Sequence, residues 1–238
     1  MAKAAKTTSP VPGFEGFAPG ALDFFTELDA HQSRDWFLEN KARYEQSIRE
    51  PLGRLVASLS LAFAARDIPL LGDPKSSLFR INRDVRFSKD KRPYKTNAGA
   101  VLTRDGVKQS QGLVYIHIDP AGSFAAAGFY APEPSDLERF RRRILSAPQA
   151  WEAVEATLNA AGLTLSREGM ATRLPRGFTA DQVGAHAEVI RLKSFIVRRP
   201  LPQAELVSPA LIDRIVELAA GSQALLEFGW AALARDPF

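Results

Sequence analysis

Residues 112 to 130 constrain the fold more than any other stretch. From Gly112 to Asp119 the side chains alternate, with Val114, Ile116 and Ile118 on one face and Tyr115, His117 and Asp119 on the other. That is the period of a half-buried strand. Pro120-Ala121-Gly122 turns the chain, and Ser123 to Tyr130 follows as a strand rich in small residues. Two strands joined by so short a turn pair antiparallel. The middle of the chain therefore predicts an antiparallel sheet.

Helical periods flank it. Pro19 to Asp29 places Leu22, Phe25 and Leu28 on one face, and Ser33 is a cap for a longer helix that carries Trp36, Phe37, Tyr44 and Ile48. Pro51 breaks or restarts that helix, which runs on to about Ala65. Phe79 to Phe87 alternates as a strand, and Asn97 to Thr103 is another, weakened by Gly99. Leu163 to Ser166 and Val189 to Val197 are further candidate strands. Ser135-Asp136-Leu137-Glu138 reads as a capping box opening a helix to about Leu145. Pro148 starts another that ends near Gly162, and Ser208-Pro209 opens a closing helix through Leu211, Ile215, Leu218 and Leu225. Helices, then an antiparallel sheet, then helices give an α+β class rather than a wound parallel sheet. Residues 1–13 read as a loose tail and 14–238 as one domain.

Cysteine is absent, which excludes disulfides and thiolate metal sites. The start of the chain lacks a signal-peptide core, and no apolar run approaches the ~20 residues of a spanning helix. We expect a cytoplasmic protein with no membrane partner. His31, His117 and His186 are far apart and form no HExxH or HxH pattern, so no metal site is expected; a magnesium site on Asp84, Asp90 or Asp119 has no positive support. Neither GxxxxGKS nor GxGxxG occurs. No cofactor is indicated.

Charge is concentrated in one place. Leu78 to Lys95 holds seven basic residues (Arg80, Arg83, Arg86, Lys89, Lys91, Arg92, Lys95) and two acids (Asp84, Asp90), +5 in 18 residues, while the whole chain is +4. A local cluster of this kind can be a site, while a diffuse excess usually cannot. Taken as a strand, the segment puts Arg83 on the apolar face, where a guanidinium needs a carboxylate or an anionic ligand. Asp84 lies between Arg80 and Arg86, in reach of a bidentate bond to one of them. Seven cations with two counter-charges cannot all pair locally, which favours a bound anion. For any one residue taken alone, a structural ion network is the favoured reading.

The run Arg80-x-x-Arg83-Asp84-x-Arg86-Phe87-Ser88-Lys89-Asp90-Lys91-x-Pro93-Tyr94-Lys95 closely resembles the signature of a bacterial and fungal conserved-hypothetical family, domain of unknown function family twenty-four sixty-one. Phe24-Phe25 and Trp36-Phe37, the Tyr115-to-Tyr130 hairpin and Leu192-Lys193-Ser194-Phe195 extend the resemblance over nearly the whole chain. Asn82 and Asn97-Ala98 depart from the family's pattern. The resemblance implies no activity; it implies that Arg80, Arg83, Asp84, Arg86, Lys91 and Tyr94 belong together.

Ligand-binding candidates are therefore Arg80, Arg83, Asp84, Arg86, Lys91, Tyr94 and Lys95. Catalytic candidates are His117 and Asp119, an acid/base pair on one strand face, with Asp84 and Tyr94. A third basic cluster, Lys193 with Arg198 and Arg199, is in question for the same site. The function read first is a pocket for a small phosphate- or carboxylate-bearing anion, with enzymatic chemistry open. A nucleic-acid-binding module, favoured by the pI of 9.5 and by aromatics among the cations, and a purely architectural Arg network are the alternatives.

Overall fold

The computed structural model describes residues 13–86 and 89–234; the expected N-terminal tail lies almost wholly outside them, as do Phe87 and Ser88. The chain opens with α1 (Asp23–Ala30), α2 (Arg34–Glu39), α3 (Lys41–Tyr44), a π turn (Glu45–Arg49) and α4 (Glu50–Ala64). Ser33 caps α2, its hydroxyl accepting from the Trp36 N–H. Pro51 sits in the first turn of α4. It has no N–H for the Ser47 carbonyl, and the helical run continues through the π register just before it instead of breaking.

Four strands follow: β1 (Ala98–Thr103), β2 (Leu113–Ile118), β3 (Ser123–Phe129) and, after α5 (Pro134–Ser146), α6 (Pro148–Ala160), α7 (Ala180–Val183), a 3-10 turn (Gly184–His186) and α8 (Ala187–Ile190), β4 (Phe195–Leu201). They form one sheet in the order β1-β2-β3-β4, antiparallel throughout. The chain closes with α9 (Gln203–Leu206), α10 (Ala210–Gly221) and α11 (Gln223–Leu233). The α+β arrangement expected from the sequence is the one found.

Register divides the sheet into two unlike faces. Ala100, Leu102, Val114, Ile116, Ala125, Ala127, Phe129, Phe195 and Val197 are all buried on one, under α4, α10 and α11. There Phe140 stacks on Phe195 at 3.9 Å, and Trp151 and Phe228 pack edge-on beside them. The opposite face carries three rows: Gly99–His117–Phe124–Pro200, Val101–Tyr115–Ala126–Arg198 and Thr103–Leu113–Gly128–Ile196. The basic segment crosses beside these rows.

Several sequence expectations are corrected. Of the expected strand Phe79 to Phe87, the described part, residues 79–86, forms no strand, and Phe87 lies outside the described residues. Leu78 bridges Ala100 and Asn82 bridges Tyr94 singly, and Arg83 and Lys95 donate to Pro93 and Ile81, each at 2.8 Å, so the segment folds back on itself. Asp84 and Asp90 accept the backbone N–H groups two residues on. Such turns compete with a ladder, and Pro93 cannot donate to one. Leu163 to Ser166 makes only a bridge from Leu165 to Val197. Val189 and Ile190 belong to α8, and the strand begins at Phe195. The Ser135 capping box does not form, because Pro134 starts α5 one residue earlier. A capping box instead joins Thr179 and Gln182 at α7. The closing helix is two helices, bent where the Ser222 hydroxyl donates back to the Leu218 carbonyl.

Candidate functional site

A cavity of about 850 Å³ lies between the basic segment and the open face of the sheet. That is within the range of small-molecule sites, roughly 300–1,000 Å³. Its floor is Tyr115, His117, Phe124, Ala126 and Gly128, and its walls include Phe79, Arg80, Arg83, Lys95, Tyr130 and Arg198. The Phe79 N–H donates to the Gly99 carbonyl at 2.9 Å, which seats the segment against β1.

Counter-charge divides the seven cations. Asp84 holds Arg86 by two bonds, Nε to Oδ1 at 3.0 Å and Nη2 to Oδ2 at 2.7 Å. Asp90 takes both Arg83, at 2.5 Å, and Arg92, at 2.8 Å, and Arg92 reaches Asp29 of α1 at 2.6 Å. Lys91 donates to the Val85 carbonyl at 3.0 Å. Arg80 and Lys95 line the cavity and form no ion pair among the described residues. The Lys95 ammonium stands over the Phe79 ring at 5.7 Å, as the Lys108 ammonium does at 5.2 Å. Burial, with Arg80, Lys108 and Arg83 as like-charged neighbours, holds Lys95 below its ordinary 10.5. Burial also lowers Lys108.

Of the sequence-predicted residues, Arg80, Arg83, Asp84, Lys95 and His117 meet at the cavity. Arg86 and Lys91 lie outside its lining. Tyr94 is buried elsewhere, stacked on Phe37 at 4.4 Å, with its backbone bonded to the Gln32 side chain in both directions. It anchors the segment to the α1–α2 region. The third basic cluster splits three ways. Arg198 lines the cavity and covers the Phe124 ring at 5.0 Å. Arg199, one residue on, points to the opposite face and pairs with Glu217 at 2.9 Å. Lys193 lies with the buried Arg141 in a separate recess. Phe79, weighed from the sequence only as a base-stacking aromatic, lines the cavity; Phe124, Tyr130 and Lys108 were not singled out from the sequence as site residues. Phe124 carried a usable signal, because it directly follows the short turn after the His117 strand and so must pair beside it.

On the floor, the Tyr115 hydroxyl lies 3.1 Å from Nδ1 of His117, and His117 Nε2 lies 3.5 Å from Oδ2 of Asp119. Phe124 stacks on the imidazole at 4.7 Å. Burial lowers the His117 pKa, opposed by Asp119 and reinforced by Arg198. Burial, then Asp119, raises that of Tyr115. Toward the other end the floor becomes apolar: Leu113, Gly128 and Ile196 follow four residues along β2 from His117, about 14 Å away at strand spacing.

Residues 20–228 match the family described as Conserved hypothetical protein (DUF2461). The chain belongs to that family. No curated protein and no solved structure matches it. The matched span takes in every residue lining the cavity. Among the described residues no group of His, Asp or Glu is placed to hold a metal ion, and no helix is long and apolar enough to cross a membrane.

Proposed function

We propose that the protein binds an organic anion, a phosphate- or carboxylate-bearing small molecule, in the cavity between the basic segment and the sheet. The observation that carries this reading is Lys95. It is a partly buried ammonium on the cavity wall, crowded by Arg80, Arg83 and Lys108, with no carboxylate partner among the described residues. An anion there relieves both the desolvation and the mutual repulsion. The ligand carries a body as well as a charge, because the cavity is far larger than a phosphate and ends on Leu113, Gly128 and Ile196. The Asp90 cluster has the other role weighed from the sequence: Arg83 and Arg92 hold the segment in shape and tie it to α1.

Calorimetry with inorganic phosphate and 1-naphthyl phosphate, at two salt concentrations, tests the reading. Naphthyl phosphate is expected to bind more tightly than phosphate, with modest salt dependence, and to lose affinity in Lys95→Gln. If neither anion binds the folded protein, the reading is wrong. Binding only by single-stranded oligonucleotides, with a steep fall in affinity as salt rises, would replace it with the nucleic-acid interface.

A further inference from the structure

We propose that Tyr115, His117 and Asp119 form a proton relay, with Tyr115 on the cavity floor as the base that meets the ligand, His117 beside it as the acceptor and Asp119, outside the cavity lining, as the positioning group. The ligand's place in this scheme rests on the anion reading above; the relay itself rests on the three side chains.

Tyr115 and His117 alternate along β2 and leave the same face, and Asp119, just past the strand's end, reaches back to within 3.5 Å of His117. The imidazole is fixed between its neighbours by stacking on Phe124. Its Nε2 faces the Asp119 carboxylate, which sets the proton on Nε2 and leaves Nδ1 as an acceptor. The Tyr115 O–H then donates to Nδ1 across 3.1 Å, and the lone pairs of the phenol oxygen are left for the cavity.

A ligand held at Lys95 and Arg80 with an acidic X–H over Tyr115 completes the path. The X–H bond breaks and its electron pair stays on X. The proton moves to the Tyr115 oxygen as Tyr115 passes its own proton to Nδ1 of His117. The imidazolium formed faces Asp119, and the cations offset the new charge on X. No other reactant is needed. Burial raises the Tyr115 pKa, so the phenol hands on its own proton to His117 as it takes the ligand's. The charges facing His117 are Asp119 on its own chain segment and Arg198 from β4.

The relay is tested without knowing the ligand, by treating the full chain with p-toluenesulfonyl fluoride and mapping modified residues by mass spectrometry. At Tyr115 an O–S bond forms, the S–F bond breaks, fluoride leaves and the phenol proton goes to His117. Tyr130, at 67% exposure, is the internal control. Tyr115 is expected to react faster than Tyr130 at neutral pH and to slow in acid as His117 takes up a proton. His117→Gln should slow Tyr115 by about a hundredfold, the lower end of what a positioned base contributes, with Tyr130 unchanged. Asp119→Asn, which keeps the Oδ1 acceptor for the Ala121 N–H, should give an intermediate rate and serves if His117→Gln fails to fold. Tyr115 reacting no faster than Tyr130, or at a rate indifferent to both substitutions, would overturn the relay. Loss of naphthyl phosphate binding in Lys95→Gln with the His117 dependence intact would separate the two proposals. A relay found in a protein that binds neither anion would leave the relay standing and the anion reading rejected.

Discussion

The ring of Tyr115 lies against the α-carbon of Gly99: a Cβ at Gly99 would stand 2.9 Å from the phenol oxygen and 3.0 Å from the ring. Read as sequence, Gly99 weakens its strand. In the fold it makes the space that Tyr115 fills from the neighbouring strand, and so sets where the hydroxyl meets His117. Gly99→Ala should displace the ring. Because a side chain can swing away where backbone cannot, we expect a stability loss of about 1 kcal/mol, the low end for overpacking. Urea denaturation measures that loss. Sulfonyl fluoride labelling of Tyr115 should lose its dependence on His117 in the same variant.

Asp90 governs behaviour in acid. Its bonds to Arg92, then Arg83, hold its carboxyl well below the usual range. Asp84 is lowered by Arg86, Asp73 and Asp105 chiefly by backbone donors, and Glu27 by Arg43. A carboxyl depressed in the folded state stabilises it above the unfolded pKa, and that contribution disappears as pH falls through the folded value. Thermal midpoints should therefore hold steady near neutrality and fall below about pH 4. Asp90→Asn should lower the midpoint at pH 7 and flatten the acid limb. An unchanged midpoint at pH 7 would deny Asp90 its role as the link between Arg83, Arg92 and α1.

The sheet was legible mainly through β2, which buries Val114, Ile116 and Ile118 on one face and so writes its burial as alternation; β1 and β3 are buried on both faces and carry no such alternation. The basic segment alternates too, yet Asp84, Asp90 and Pro93 turn it away from the ladder, and side-chain-to-backbone bonds of that kind leave no periodic trace. The cation cluster was legible as charge, but its division was not. Arg92 finds Asp29 from 63 residues away in the chain, and Lys108 reaches the Leu78 carbonyl from the β1–β2 connection. Arg198 and Arg199 are adjacent in sequence and part only because β4 alternates, which becomes decisive once the strand's limits are known.

Gly128 gives a severe backbone test. Its φ is +126°, and a Cβ there would fall 2.0 Å from the Phe195 carbonyl oxygen. The obstacle is backbone of the paired strand, so it cannot move without parting β3 from β4. Gly128→Ala should destabilise by at least about 3 kcal/mol, from backbone strain and overpacking together. The urea midpoint will show it. A near-neutral result would mean that β4 does not pair with β3 in the observed register.

Lys95 should show the opposite pattern, a residue whose removal helps the fold and harms the site. Because burial and three like-charged neighbours lower its pKa, the unfolded chain binds its proton more tightly than the folded one in the window just below 10.5. Stability must then rise with pH through that window. Lys95→Met removes the strained charge and leaves an apolar chain against Phe79. We expect the variant to melt higher by roughly 2 °C or more and to lack the alkaline rise. Naphthyl phosphate affinity should fall at least about tenfold, since a charge-assisted bond contributes about 1.5–3 kcal/mol. Scanning calorimetry from pH 7 to 10.5, with and without naphthyl phosphate, reads all three. A variant that melts lower and binds as before would make Lys95 a structural residue and remove the main support for an anion site.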